Sequence, residues 1–298
     1  MPAFSPRYAR FAEFIAPAVG RAQVWRTVAG VLVAGVVTVM LGAAFELVLV
    51  GLGWVAPGAS LQAMTKGSTP WVLMALLFAY LPLTIGIGLA TVAVTRRSLF
   101  SLIGPPGAAL RCFLWVVLPL MLLFVVLMPL SVFDPGVVRH LDLAQQVPWL
   151  PLALLGLLIQ TGTEELVFRG YLQQQLAARW AAPWVWMGIP AVIFGLLHYS
   201  PQQYGASAVF VSGWAVLFGL AAADLTARTG NLGAAVAMHF ANNAATMLLV
   251  GVAGRLDALT LFSARLDLSA GWSSLPYLAI DTLTLLICWL LARLILRV

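Results

Sequence analysis

Three short stretches of this chain set titratable and hydrogen-bonding side chains into runs that are otherwise apolar. The first, residues 158–170, reads Leu-Ile-Gln-Thr-Gly-Thr-Glu-Glu-Leu-Val-Phe-Arg-Gly. At 3.6 residues per turn, Glu165 and Arg169 lie four apart on one helix face. A carboxylate and a guanidinium at that spacing pair in a dry interior and offset much of each other's desolvation cost. Glu164 is turned about 100° from Glu165 and about 140° from Arg169, so it points elsewhere. The spacing therefore predicts one structural glutamate and one free glutamate. A glutamate without a counter-ion in an apolar setting suits general-base work near neutral pH. The competing reading is a second structural glutamate, hydrogen-bonded to a neighbouring helix.

The second stretch is Phe194-Gly195-Leu196-Leu197-His198, where Phe194 and His198 share a face. Gly195 and Ala191 permit close approach of another helix. The third is His239-Phe240-Ala241-Asn242-Asn243, with His239 and Asn243 four apart. Two neutral hydrogen-bonding groups aimed one way can stabilise charge developing on a carbonyl oxygen. Taken singly, a histidine or asparagine in such a run is as well read as interhelical glue. Together the three stretches offer a base, two imidazoles and an amide.

What must position these groups is a membrane bundle. Of 298 residues, 62% are hydrophobic and 9% charged, with a mean hydropathy of +0.99. Soluble domains carry about 25% charged residues, so a water-soluble enzyme, a secreted disulfide scaffold and a disordered chain are all excluded. Cys112 and Cys288 lie in separate apolar runs, which leaves no disulfide framework or thiolate metal site. The fold class expected is an all-α polytopic membrane protein. Eight apolar runs, 27–56, 71–95, 112–133, 149–176, 183–200, 205–223, 231–252 and 272–292, are long enough to be spans. Spans four to seven hold the three stretches. The expected organisation is a lead-in at 1–26, three helices in 27–148, a catalytic core in 149–252, and an outer loop with a last helix in 253–298.

The net charge of +6 does not point to nucleic acid, because the basic residues sit between the apolar runs. With both termini in the cytoplasm, twelve of them fall on the inner side, and only Lys66, Arg139, Arg255 and Arg265 fall outside. The lead-in places Phe11, Phe14, Ile15 and Ala18 at helical spacing among arginines, a pattern that fits a helix lying on the leaflet or a plain cytoplasmic helix. Glu46 and Asp281 are the remaining acidic residues within spans.

Glu-Glu-x-x-x-Arg, Phe-x-x-x-His and His-x-x-x-Asn, in that order on successive apolar segments, resemble the CPBP intramembrane proteases (CAAX prenyl endopeptidase and bacteriocin-processing, also called Abi). The adjoining Gly170-Tyr171-Leu172-Gln173 and Arg228-Thr229-Gly230-Asn231-Leu232 fit as well. The resemblance covers about residues 150–250 and implies a glutamic endopeptidase in the cell membrane, with no cofactor. By position it implies that Glu164 activates water, His198 helps to hold it, and His239 and Asn243 stabilise the oxyanion. Glu165, Arg169 and Phe194 support them. The partners implied are a membrane-associated peptide or protein, lipidated or not, and the bilayer. Three other readings stand beside it: a zinc enzyme using two histidines and a glutamate, a proton relay through Glu46, Glu164, Asp281 and the histidines, and a non-catalytic scaffold.

Overall fold

The structure is a computed structural model that describes residues 5–58, 69–267, 269 and 271–298. Lys66 lies outside the described residues. The described α-helices of seven or more residues are α1 (Ala9–Ile15), α2 (Val24–Gly51), α3 (Pro70–Phe78), α4 (Leu81–Ala93), α5 (Pro106–Val132), α6 (Leu150–Glu165), α7 (Ile189–Leu197), α8 (Ala208–Thr229), α9 (Gly233–Ala244) and α10 (Leu275–Leu296). The all-helical polytopic class is borne out. Among the described residues, six helical stretches are long and apolar enough to cross a bilayer, and Trp184–Leu197 is a shorter apolar one.

Two of the eight expected spans are therefore shorter than their apolar runs. The fifth is Trp184–Leu197, and the seventh is α9 with a π-helical turn at Ala245–Leu249. The reason is where α9 sits. It is buried along most of its length, packed on α5, α6 and α8. Lipid demands a continuous helix, but a segment surrounded by protein can satisfy its backbone in other ways. Here the chain leaves the helix as a strand, β2 (Val250–Val252). It pairs with β3 (Phe262–Ala264), which also pairs with β1 (Val137–Arg139). This small sheet closes one end of the bundle, and no apolar run announces it.

The two ends differ in chemistry. At the sheet end, Trp54, Trp71 and Trp149 pack in series, tilted and then edge-on, with centroids 4.9 and 4.6 Å apart, a cluster that suits an interfacial aromatic belt. The opposite end gathers Arg10, Arg26, Arg97, Arg111, Arg228 and Arg293 at helix termini and connections. The lead-in packs on protein and not on lipid. Phe11, Phe14, Ile15 and Ala18 are buried, and the Phe11 ring lies 4.7 Å from that of Trp186. Of the two readings of 8–26, the helix lying on the leaflet is thus replaced by one docked on the bundle.

Candidate active site

Four elements supply the site. In α6, Glu164 lies about 21 Å from the Leu150 end, whereas His239 in α9 lies about 9 Å from the opposite end at Gly233. In a core of about 30 Å these two counts describe one level, nearer the arginine-rich end. α9 reaches that level because the chain turns tightly before it. Gly230, at φ +69°, ends α8 in the left-handed region, and the Asn231 carboxamide accepts the Gly233 N–H at 2.9 Å to start α9. After Glu165 the helix widens into a π-helical stretch, Leu166–Gln173, which carries Arg169 inward.

Arg169 and Glu165 are fully buried. The guanidinium donates to Glu165 Oε1 at 2.9 Å and to the Gly219 carbonyl of α8 at 3.1 Å. It also faces the Phe194 ring, 5.1 Å from its centroid. Gly219 is reachable because α7 and α8 touch: a Cβ there would come within 2.9 Å of Ala191. On the same helix pair, Ser212 donates to the Gly195 carbonyl at 2.8 Å. These are the close approaches that the small residues of the second stretch predict.

The His239 imidazole stands between the two glutamates. Nδ1 is 2.8 Å from Glu165 Oε1, and Nε2 is 3.5 Å from Glu164 Oε2. The Glu165 oxygen accepts from Arg169 as well, so Nδ1 is the imidazole nitrogen that carries a hydrogen toward it. Glu164 is held through its other oxygen, since Gln160 donates to Oε1 at 2.9 Å. Asn243 in turn donates to the Gln160 carbonyl oxygen at 2.8 Å. The Tyr80 hydroxyl, at the break between α3 and α4, borders Glu164 and Gln160. Both Oε2 atoms, of Glu164 and of Glu165, are buried without a hydrogen-bond donor.

His198 occupies the edge of this network. Its Nδ1 lies 2.8 Å from the Phe194 carbonyl, an oxygen that can only accept, so Nδ1 carries the hydrogen and Nε2 keeps its lone pair. The ring lies 4.5 Å from that of Phe194, which is 6.1 Å from His239. Among the described residues no hydrogen bond or ion pair joins His198 to a glutamate. Phe194 is thus the wall shared by Arg169, His198 and His239.

The structure brings together two hydrogen-bonded sets, Arg169–Glu165–His239 and Asn243–Gln160–Glu164, which meet at the 3.5 Å contact between His239 Nε2 and Glu164 Oε2, with Phe194 and His198 packed on them. Sequence reasoning missed Gln160, although a polar residue one turn before Glu164 in an apolar run was a usable signal. Tyr80 and Gly219 carried none, because only the tertiary fold brings them in. Glu46 and Asp281 sit on exposed outer faces and do not line the site. Among the described residues, no three His, Cys, Asp or Glu side chains are gathered as a metal-ligand set.

Residues 146–245, which hold α6 to α9 and all of these groups except Tyr80, match the family described as type II CAAX prenyl endopeptidase Rce1-like. The site-bearing part of the chain is similar to that family, and the CPBP resemblance is borne out. One relative, the uncharacterized protein YyaK of Bacillus subtilis (strain 168), is 34% identical over 101 residues, which are 34% of this chain and 34% of that protein. The chain thus matches about a third of that relative's length. No solved structure matches the chain.

Proposed function

We propose that this protein is an intramembrane endopeptidase that hydrolyses a peptide bond of a membrane-associated segment with a glutamate-activated water. The observation that carries the reading is the state of Glu164. One of its oxygens is anchored by Gln160, and the other is buried, without a donor, and 3.5 Å from His239 Nε2. A base needs an oxygen of this kind, fixed in direction and not already spent on a partner.

In this mechanism a water bound at Glu164 Oε2 gives up a proton to that carboxylate, and its oxygen adds to the scissile carbonyl. The His198 Nε2 lone pair accepts the water's second hydrogen and so orients it. The resulting oxyanion accepts hydrogen bonds from the Asn243 amide and from the Nε2–H of a doubly protonated His239 ring, whose Nδ1–H stays on Glu165. Collapse then breaks the C–N bond, and protonated Glu164 gives its proton to the leaving amine. Glu165 and Arg169 touch no reacting atom; they hold the His239 ring in place. The site lies toward the arginine-rich end, so with both termini in the cytoplasm of the cell membrane, substrate and water arrive from the cytoplasm. A prenylated C-terminal segment, the substrate class that the family's description names, is the first to test.

The test compares the C-termini and membrane peptides of cells carrying the wild type with those carrying Glu164→Gln. Fragments lost in the variant, and restored by the purified wild type, are expected. Identical peptide populations at equal protein levels would instead favour a scaffold that keeps the motif for packing.

A further inference from the structure

A large cavity lies away from the glutamates. It has a volume of about 690 Å³ and lies at the arginine-rich end, bordered by α1, the connection before α5, the α8–α9 turn and the tip of α10. From its contents we infer that it is a binding site for one anionic phospholipid of the surrounding leaflet, with a single phosphodiester charge and a hydroxyl-bearing headgroup.

Charge is the first argument. Arg10 and Arg111 line the cavity from different elements, both exposed, and among the described residues neither has an ion-pair partner. Glu13 is the carboxylate on the same wall. Two guanidiniums and one carboxylate sum to +1, which complements one phosphodiester. Guanidiniums bind its two free oxygens in a forked geometry. Glu13 is left to accept hydrogen bonds from headgroup hydroxyls. A helix of 27 residues, α5, also begins here, with the positive end of its dipole toward the cavity.

Shape is the second argument. The volume falls within the about 300–1,000 Å³ of small-ligand clefts. One side of the cavity is apolar and opens outward, for Phe100 and Trp115 line it and are 64% and 65% exposed. From Trp115 an exposed stripe continues along α5 through Leu114, Leu118 and Leu122. An aromatic residue at headgroup level with an aliphatic stripe running away from it fits an acyl chain. A free phosphate would use the guanidiniums and leave that side unmatched. Basic pockets between membrane helices of this kind bind anionic headgroups.

The experiment uses the full-length protein in detergent, titrated with phosphatidylglycerol and with phosphatidylcholine of the same acyl chains, and read by native mass spectrometry. One phosphatidylglycerol retained about tenfold better than phosphatidylcholine is expected, the order that two basic residues supply. Arg10→Gln with Arg111→Gln should abolish that preference, and Glu13→Gln should preserve or increase retention. Arg139→Gln with Arg265→Gln, at the sheet end, should change nothing. Soluble glycerol phosphate should not compete at millimolar concentration. Equal retention of the two lipids, a preference unchanged in the Arg10/Arg111 variant, or competition by glycerol phosphate would each overturn the assignment. If the double variant fails to fold, the single Arg111→Gln variant and the Glu13→Gln variant still decide it.

Discussion

Among the described residues, two carboxylate–arginine pairs removed from water share the same four-residue spacing, Glu165–Arg169 in α6 and its π-helical extension, and Asp224–Arg228 in α8, and they are finished differently. Asp224 is fully used. Its Oδ1 accepts from the Tyr8 hydroxyl at 2.8 Å, and its Oδ2 accepts from Arg228 Nε at 2.7 Å and Trp289 Nε1 at 3.0 Å. One side chain thereby ties α8 to the lead-in and to α10. Glu165 concentrates its partners on Oε1, which takes both Arg169 and His239, and leaves Oε2 without a donor. Its neighbour Glu164 also keeps one oxygen unsatisfied. A buried polar atom without a partner costs about 1–3 kcal/mol, so native structures keep few of them. A carboxylate cluster built for cohesion has no use for that cost. One that must accept a proton and hold a water does.

The contrast can be broken most sharply at Glu164. Glu164→Gln keeps shape and the capacity to accept from Gln160 but removes the base. Turnover should fall by at least about 10²-fold, while the thermal midpoint of the purified protein stays close to the wild type. A large loss of stability would mean that Glu164 belongs with Asp224, as a structural group. Glu165→Gln should do the reverse in kind: Arg169 stays buried without its counter-charge, a loss of about 3–5 kcal/mol, read as a lower unfolding midpoint and poor expression.

Asp224→Asn should cost less, about 2 kcal/mol, the scale of hydrogen bonds to a charged group. Arg228 is about 10% exposed and close to the helix end, so it can turn toward water where Arg169 cannot. Whatever folded protein remains should turn over at the wild-type rate per molecule. A catalytic defect at equal folded protein would erase the division between the two clusters.

How much of this was legible in the sequence follows from where each residue sits. The Glu-Glu-x-x-x-Arg spacing gave the Glu165–Arg169 pair directly, because i, i+4 is a local relation. The rotation of Glu164 away from that pair was also readable, and the structure has it facing Gln160 and Tyr80. What could not be read is that one imidazole reaches both glutamates, since that depends on the height of α9 against α6. Asp224 escaped notice because it stands one residue past the apolar run that marked its span, although the helix itself continues to Thr229. The sheet and the shortened α9 were hidden for a related reason: hydropathy measures what a segment contains, and not whether its neighbours are lipid or protein. The docking of the lead-in was half legible, in the spacing of Phe11, Phe14 and Ile15, but the surface that covers them was not.

The smallest expected effect concerns the lead-in's bond to Asp224. Tyr8→Phe removes one hydrogen bond, worth about 1 kcal/mol, and should lower the unfolding midpoint slightly at neutral pH. The alkaline limb carries the finer test. Burial, followed by the hydrogen bond to and the charge of Asp224, pushes the Tyr8 hydroxyl up to about 12 from its usual 10. The protonated phenol is the form that the fold favours, so its contribution is complete below pH 10. Between pH 10 and about 12 the unfolded chain loses the proton while the folded one retains it, and the advantage of the wild type drains away. Unfolding midpoints of the wild type and Tyr8→Phe should therefore differ at pH 8 and converge as pH rises through that window. Curves that stay parallel to pH 12 would show that Tyr8 does not donate to Asp224, and would leave that carboxylate with an unused oxygen of the same kind as Glu164.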